Sequence, residues 1–173
     1  MTLDPESIEN AIMEIEDAKA QLTECMEELI KYLIARGQEI ARVNVVSMDA
    51  VFTGELAASG IHGIYFNSER CGVVYTDKWY AIYVEFGTGI VGKNSGSHPM
   101  AGAFGWQHDV NGHGANGWWY PAEWGYWIPK KGTHAGQTMA WTAGMPVRPF
   151  MYNTLRELEE IAEREGIEFF RMM

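Results

Sequence analysis

The first fifth of the chain carries a regular stripe of apolar residues. Between Asp4 and Arg36 only Lys19 interrupts a set that recurs at intervals of four and three: Ile8, Ile12, Ile15, Leu22, Met26, Leu29 and Leu33. This spacing predicts one long amphipathic helix. Asp4 is its expected N-cap, Pro5 its first helical residue, and Gly37 the expected site of its end or of a bend.

A helix of this length needs a partner for its apolar face. We expect the face to cover a sheet of the same domain. The helix and the sheet would each have one apolar face, and packing them together would bury both faces. A coiled coil is the alternative, because the same spacing fits four short heptads.

The segment from Val43 to Gly60 predicts a connector with one helical turn, because β-branched residues surround a Thr-Gly-Glu-Leu turn. Three short apolar runs follow, IHGIYFN, GVVYT and WYAIYVEF, with Asn-Ser and Thr-Asp-Lys between them. Short runs separated by tight turns predict an antiparallel meander within residues 61 to 86. In the third run Ile82, Val84 and Phe86 would share one face.

From Gly87 to Gly144 the chain is rich in glycine and loses its periodicity. Six of the seven tryptophans lie here, at Trp106, Trp118, Trp119, Trp124, Trp127 and Trp141. Tryptophan supplies more apolar area than a disordered linker carries. We therefore expect an ordered insert at about 88–144, packed on its own domain or against another chain.

The last segment predicts a second helix that begins at Pro149 and ends near Gly166. Its apolar stripe comprises Phe150, Leu155, Leu158, Ile161 and Ala162. The apolar tail after Gly166 is expected to dock on the domain or to form an edge strand. The elements together predict one α+β domain over residues 1–173, with the long N-terminal helix packed on an antiparallel sheet.

Charge and composition narrow the function. The chain has 23 acidic and 13 basic residues, a net charge of -10. Such a chain repels phosphate backbones, so we expect no sequence-specific nucleic-acid binding. We also expect no membrane span, because the sequence lacks a long uncharged apolar run. We expect no secretory signal, because the first residues do not form a basic segment followed by an apolar one. Cys25 and Cys71 stand far apart, and neither a disulfide nor a zinc site is expected from them.

The insert carries the residues that a metal site would need, namely His98, His108, Asp109, His113, Glu123 and His134. Their spacing does not match a zinc motif on rigid elements, and we expect neither a metal nor a cofactor. GTGIVG has the glycine spacing of a phosphate loop, but we expect no helix after it. Neither serine nor cysteine lies in a nucleophile turn, so we expect no nucleophilic catalysis by these residues.

Glu85 is the most informative charged residue, because it ends an apolar run. We expect it to pair with Arg148, within one chain or between neighbouring subunits, because a guanidinium can hold a carboxylate in a two-pronged hydrogen bond. The prolines at 146 and 149 limit the backbone on both sides of this arginine.

Two motifs carry a resemblance to a known family. YAIYVEFGTG, followed at a distance by GMPVRPFMYNTL, is similar to the neck and tail-completion proteins of tailed bacteriophages, the lambdoid-type head-tail joining family. The residues that match these motifs are Tyr83, Glu85, Phe86, Gly87 and Thr88 in the first, and Pro146, Arg148, Pro149 and Phe150 in the second. A Thr-Gly-x-Leu element at Thr53, Gly54 and Leu56 also fits the family.

This chain differs from the shortest family members by an insert of about 55 residues. It resembles the subgroup in which the insert contains GWWY and WT-x-G segments, here Gly117–Tyr120 and Trp141–Gly144. The resemblance implies a structural protein of the virion without catalytic residues. The interaction residues that we expect are Glu85, Phe86, Gly87, Thr88, Trp118, Trp119, Tyr120, Trp141, Arg148, Pro149 and Phe150.

The family also implies partners and a location. We expect a homo-oligomeric ring, hexameric by analogy, between a head connector or stopper protein and a tail tube or terminator protein. The ring would be made in the bacterial cytoplasm and would sit in the phage neck, and the acidic surface of the chain is compatible with passage of the genome through the lumen. The alternatives are a metal-dependent hydrolase that uses the insert histidines, and a prophage-encoded binding module.

Overall fold

The computed structural model describes residues 4–50, 54–113 and 116–171. Two long helices pack on each other, and the N-terminal one also packs on a small antiparallel sheet, which confirms the predicted α+β class. The elements in chain order are α1 (Pro5–Ser47), α2 (Glu55–Ser59), β1 (Ile61–Phe66), β2 (Cys71–Thr76), α3 (Ala81–Phe86), α4 (Gly89–Asn94), β3 (Trp118–Pro121), β4 (Met139–Thr142), β5 (Gly144–Met145) and α5 (Phe150–Arg171).

Helix α1 is longer than predicted, because Gly37 neither ends it nor lies at its surface. Gly37 is buried inside α1. A Cβ atom there would lie 2.8 Å from Leu158 Cδ1 and 2.9 Å from Val74 Cγ2. The glycine thus serves the close approach of α5 and β2 to the helix, and the helix continues through the first residues of the predicted connector.

The apolar stripe of α1 is divided between two environments. Its last members, Leu29 and Leu33, are partly buried, and farther along the helix Ile40, Ala41 and Val45 are buried in the core. Every residue from Pro5 to Leu22 is exposed. The expectation that the stripe covers a sheet therefore holds only for the second half of the helix, and the first half extends beyond the described domain body.

Helix α5 runs antiparallel to α1. Asn44 Nδ2 donates to Thr154 Oγ1 at 3.2 Å near one end of the pair, and the rings of Tyr32 and Phe169 lie 5.7 Å apart near the other. Gly166 does not stop the helix as predicted, since it is a buried helical residue. The expected tail is thus the last turn of α5 as far as Arg171, and residues 172–173 lie outside the described range.

Strands β1 and β2 form an antiparallel hairpin, in which Ile61 pairs with Thr76 and Phe66 with Cys71. Helix α1 crosses one face of the hairpin at two glycines. A Cβ at Gly63 would overlap Ile34 Cγ2, and one at Gly72 would lie 2.8 Å from Ile30 Cγ2. Because neither glycine has a Cβ atom, the helix can approach the strand backbones closely at these two positions.

The predicted third strand of the meander is wrong. Ala81–Phe86 forms the short helix α3, and its C-cap Gly87 has a φ of 72°. A helical turn buries Ala81, Val84 and Glu85 together, a grouping that the alternating sides of a strand would separate. The sheet of the described domain body is therefore a two-stranded hairpin.

The core lies where α1, α2, β1, α3 and the start of α5 meet. Phe150, Ile61 and Val45 are its largest fully buried side chains. Leu56 of the Thr-Gly-x-Leu element is also buried, whereas Thr53 lies outside the described residues. Among the described helices, none combines the length and the apolar character that crossing a bilayer requires.

Candidate functional site

The predicted site residue Glu85 is a buried carboxylate at the beginning of α5. Its Oε2 accepts the backbone N–H of Met151 at 2.9 Å, and its Oε1 accepts that of Tyr152 at 2.9 Å. The first amides of a helix have no partner within the helix and attract negative charge. Glu85 therefore caps α5 from a distant part of the chain.

His98 completes the coordination of this carboxylate, and sequence analysis missed the role. Its Nε2 lies 2.8 Å from Glu85 Oε1, and both residues are buried. His98 Nδ1 accepts the backbone N–H of Met100 at 3.0 Å. Because Nδ1 is an acceptor, the ring hydrogen lies on Nε2 and is donated to Glu85.

The predicted ion pair between Glu85 and Arg148 does not form within the chain. Arg148 Nε donates to the carbonyl of Met48 at 2.9 Å, and the backbone N–H of Arg148 donates to Val84 O at 3.0 Å. Met48 caps the C-terminal end of α1, whose last turn has no basic residue, and a cation is favourable at that end of the helix dipole. Glu85 needs no guanidinium, because three N–H groups already satisfy its oxygens.

Phe86 follows Glu85 in the chain, and Phe150 precedes the first of the two amides that Glu85 accepts. Phe150 is fully buried in the core. The Phe86 ring stacks on Trp106 at a centroid distance of 5.0 Å and lies 4.1 Å from the His98 ring. Trp106 also donates its indole N–H to Gly87 O at 3.1 Å. The aromatic contacts thus hold the start of the insert against α3.

The two ends of the insert are joined to each other. Thr88 pairs with Met145 and Gly89 with Gly144 in antiparallel bridges, and Thr88 Oγ1 accepts the N–H of Met145 at 3.2 Å. A Cβ at Gly144 would overlap the carbonyl oxygen of Thr88, and Gly144 has a φ of 102°. The Gly-Thr-Gly turn therefore closes the base of the insert, which explains its glycines.

The same turn contains helix α4, which sequence analysis did not expect. Its Gly89 N–H donates to His108 O at 2.7 Å, and its Val91 N–H donates to Ala143 O at 3.3 Å. These amides of a six-residue helix are used within the protein. The feature that resembled a phosphate loop is a closure of the insert.

A second two-stranded sheet presents aromatic side chains in the insert. Trp118–Pro121 pairs with Met139–Thr142, and Trp119 lies opposite Trp141. The Trp119 ring lies 4.8 Å from Trp127 and 5.3 Å from Tyr126. All four of these side chains are exposed, with Trp119 at 41% and Trp141 at 45%. We call Trp119, Tyr126, Trp127 and Trp141 the aromatic face.

The predicted residues Trp118 and Tyr120 do not belong to the aromatic face. They alternate with Trp119 along β3 and are partly buried. Trp118 stacks on His113 at 4.8 Å, and its ring lies next to Gly89. The alternation of a strand therefore separates the four aromatic residues that were predicted, because only Trp119 and Trp141 point to the surface.

The histidines of the insert have separate partners. His98 contacts Glu85, His108 contacts the carbonyl of Gly87 at 3.3 Å, and His134 contacts Gln137 at 3.0 Å. The described residues contain no group of three or more histidine, cysteine or acidic side chains placed to hold a metal ion.

Comparisons with protein-family models, curated proteins and solved structures found no match for this chain. The resemblance to phage neck proteins thus rests on the sequence motifs alone. The structure brings most of their residues to one junction between α3, the base of the insert and the start of α5.

Proposed function

We propose that this chain is a structural subunit of a phage neck, which assembles as a ring and joins the head connector to the tail in a tail-completion or terminator role. The observation that carries the proposal is the aromatic face. Exposed tryptophan and tyrosine side chains in one patch are typical of protein interfaces, where they supply most of the binding free energy.

The base of the insert supports this role. The bridges between Thr88 and Met145 and between Gly89 and Gly144 fix both ends of the insert, so the aromatic face has a set position relative to α3 and α5. A ring needs such geometry, because each subunit must present its contact surface at the same angle to the next.

The motif residues have structural roles that fit the proposal. Glu85 caps α5, Arg148 caps α1 and Phe150 fills the core. A family motif of this kind would preserve the shape of the subunit, whereas the contact surface would vary with the insert. The excess of acidic residues also favours a lumen through which DNA moves without sticking.

The proposal is tested in purified tailed particles from cells that encode this chain. Mass spectrometry should detect the chain in intact particles, and antibody labelling should place it between head and tail. A cytoplasmic hydrolase or regulatory module would be absent from purified particles, and that result would reject the proposal.

A further inference from the structure

The exposed half of α1 carries a seam of apolar residues. The positions follow a strict heptad, with Ile8, Ile15 and Leu22 at d and Ile12, Lys19 and Met26 at a. We call these six residues the N-terminal seam. The apolar members are all more than 40% exposed, and the exposed helix from Pro5 to Leu22 is about 27 Å long.

The N-terminal seam continues a line that α5 already covers. Farther along α1, Leu29 contacts the position of Gly166, where an added Cβ would lie 3.8 Å from Leu29 Cδ2. Cys25 Sγ donates to the carbonyl of Phe169 at 3.4 Å, close to Arg171, where the described part of α5 ends. One helix therefore packs on the seam as far as Cys25, and the described chain covers none of it before that point.

The charges around the seam indicate what kind of helix fits. Nine carboxylates and a single lysine lie between Asp4 and Glu28. Glu9 and Glu16 occupy e positions beside the seam, and Ala11 and Ala18 occupy the g positions. The alanines allow a close approach, while the glutamates favour a partner with lysine or arginine at its flanking positions.

A second copy of this chain fits poorly. Two copies would bring two acidic segments together, and an antiparallel pair would place the e-position glutamates opposite one another. In a parallel pair Lys19 would face its own copy inside the seam, and in an antiparallel pair it would face an apolar layer. An unpaired buried charge is costly in both alignments.

We propose that the N-terminal seam docks a basic amphipathic helix of another protein, with apolar a and d positions, cationic flanks and one carboxylate at the layer that faces Lys19. The docked helix continues the line of α5 along α1. This inference concerns the end of the molecule opposite to the helix start at Glu85 and does not rest on the neck function.

The probes are synthetic peptides of about four heptads. They carry isoleucine at a, leucine at d and lysine at e and g, with one glutamate at an a position in one peptide and at a d position in the other. These two versions cover the parallel and the antiparallel alignment. Control peptides have glutamate in place of the flanking lysines, or the same composition in scrambled order.

The full chain is compared with two variants of equal charge. Ile12→Glu with Leu22→Glu alters the seam, whereas Asn10→Glu with Gln21→Glu adds the same charge on other faces of the exposed helix. Glutamate is a good helix former, so both variants should retain the helical circular dichroism of the parent chain.

At least one basic peptide should bind both the parent chain and the control variant that carries Asn10→Glu and Gln21→Glu. Its affinity should fall as the salt concentration increases. The seam variant should bind the peptide with an affinity lower by about tenfold or more, because docking would bury the two introduced carboxylates. Equal binding by both variants, or binding of the scrambled peptide, would show only charge attraction and overturn the proposal. Sedimentation in which only the seam variant loses self-association would assign the seam to a second copy and also overturn it.

Discussion

The Glu85 carboxylate lies 2.8 Å from His98 Nε2 while its two oxygens also accept the N–H groups of Met151 and Tyr152. A buried charge is thus satisfied by a helix terminus and one imidazole. The arrangement ties α3, the insert and α5 together, since each supplies one part of the network.

Replacing Glu85 by glutamine should lower the free energy of unfolding by about 2–4 kcal/mol. Glutamine keeps the shape, but its NH₂ group faces a donor and it lacks the negative charge at the start of α5. Denaturant unfolding measures the effect. Glu123→Gln, at an exposed position of the insert, is the matched control and should change stability by less than about 0.5 kcal/mol.

Double-mutant cycles test the partners of Glu85. Glu85→Gln combined with His98→Gln should give a coupling energy of about 1 kcal/mol or more, because the two side chains share a buried hydrogen bond. Glu85→Gln combined with Arg148→Ala should give less than about 0.5 kcal/mol. A larger coupling to Arg148 than to His98 would contradict the observed network and restore the ion pair that the sequence predicted.

Gly63→Ala should destabilise the domain by about 1–3 kcal/mol, because the new methyl group overlaps Ile34 where α1 crosses the hairpin. Gly102→Ala is the control, since a Cβ there meets no atom within 4 Å. Thermal unfolding of both variants gives the comparison. Equal stability of the two variants would mean that α1 is not seated on the strand as described.

The different environments of the two halves of α1 predict unequal losses of stability at two isoleucines. Ile40 is buried, so Ile40→Ala should cost about 2–5 kcal/mol. Ile12 is half exposed, and Ile12→Ala should cost less than about 1 kcal/mol in the isolated chain. Similar losses at both positions in denaturant unfolding would indicate that the first half of α1 packs on its own domain.

Periodicity was sufficient for the long elements of the fold. The stripes predicted α1 and α5, and the turn between two apolar runs predicted the β1–β2 hairpin, because these patterns repeat over several turns or pairs. The helix ends predicted at Gly37 and Gly166 were wrong, since glycine marks a helix end in one context and a close helix contact in another. Only the packing of Leu158 and Leu29 distinguishes the two.

The short elements depended on contacts that the local sequence does not contain. Ala81–Phe86 is rich in strand formers, yet it is helical and places Glu85 at the start of α5. No sequence motif identifies His98 as a partner of Glu85, and the two residues are 13 positions apart in the chain. Strand alternation in β3 could have separated Trp118 from Trp119 if the strand had been recognised within the insert.

The central claim is tested most directly by complementation of a phage that lacks this chain, with the fraction of heads joined to tails counted by electron microscopy. Trp119→Ala with Trp141→Ala should give separate heads and tails, although the purified variant should lose only about 1 kcal/mol of stability or less. Trp79→Ala, the same truncation at one exposed tryptophan outside the insert, should restore joined particles. Wild-type joining by the Trp119 and Trp141 double variant would contradict the proposed role of the aromatic face.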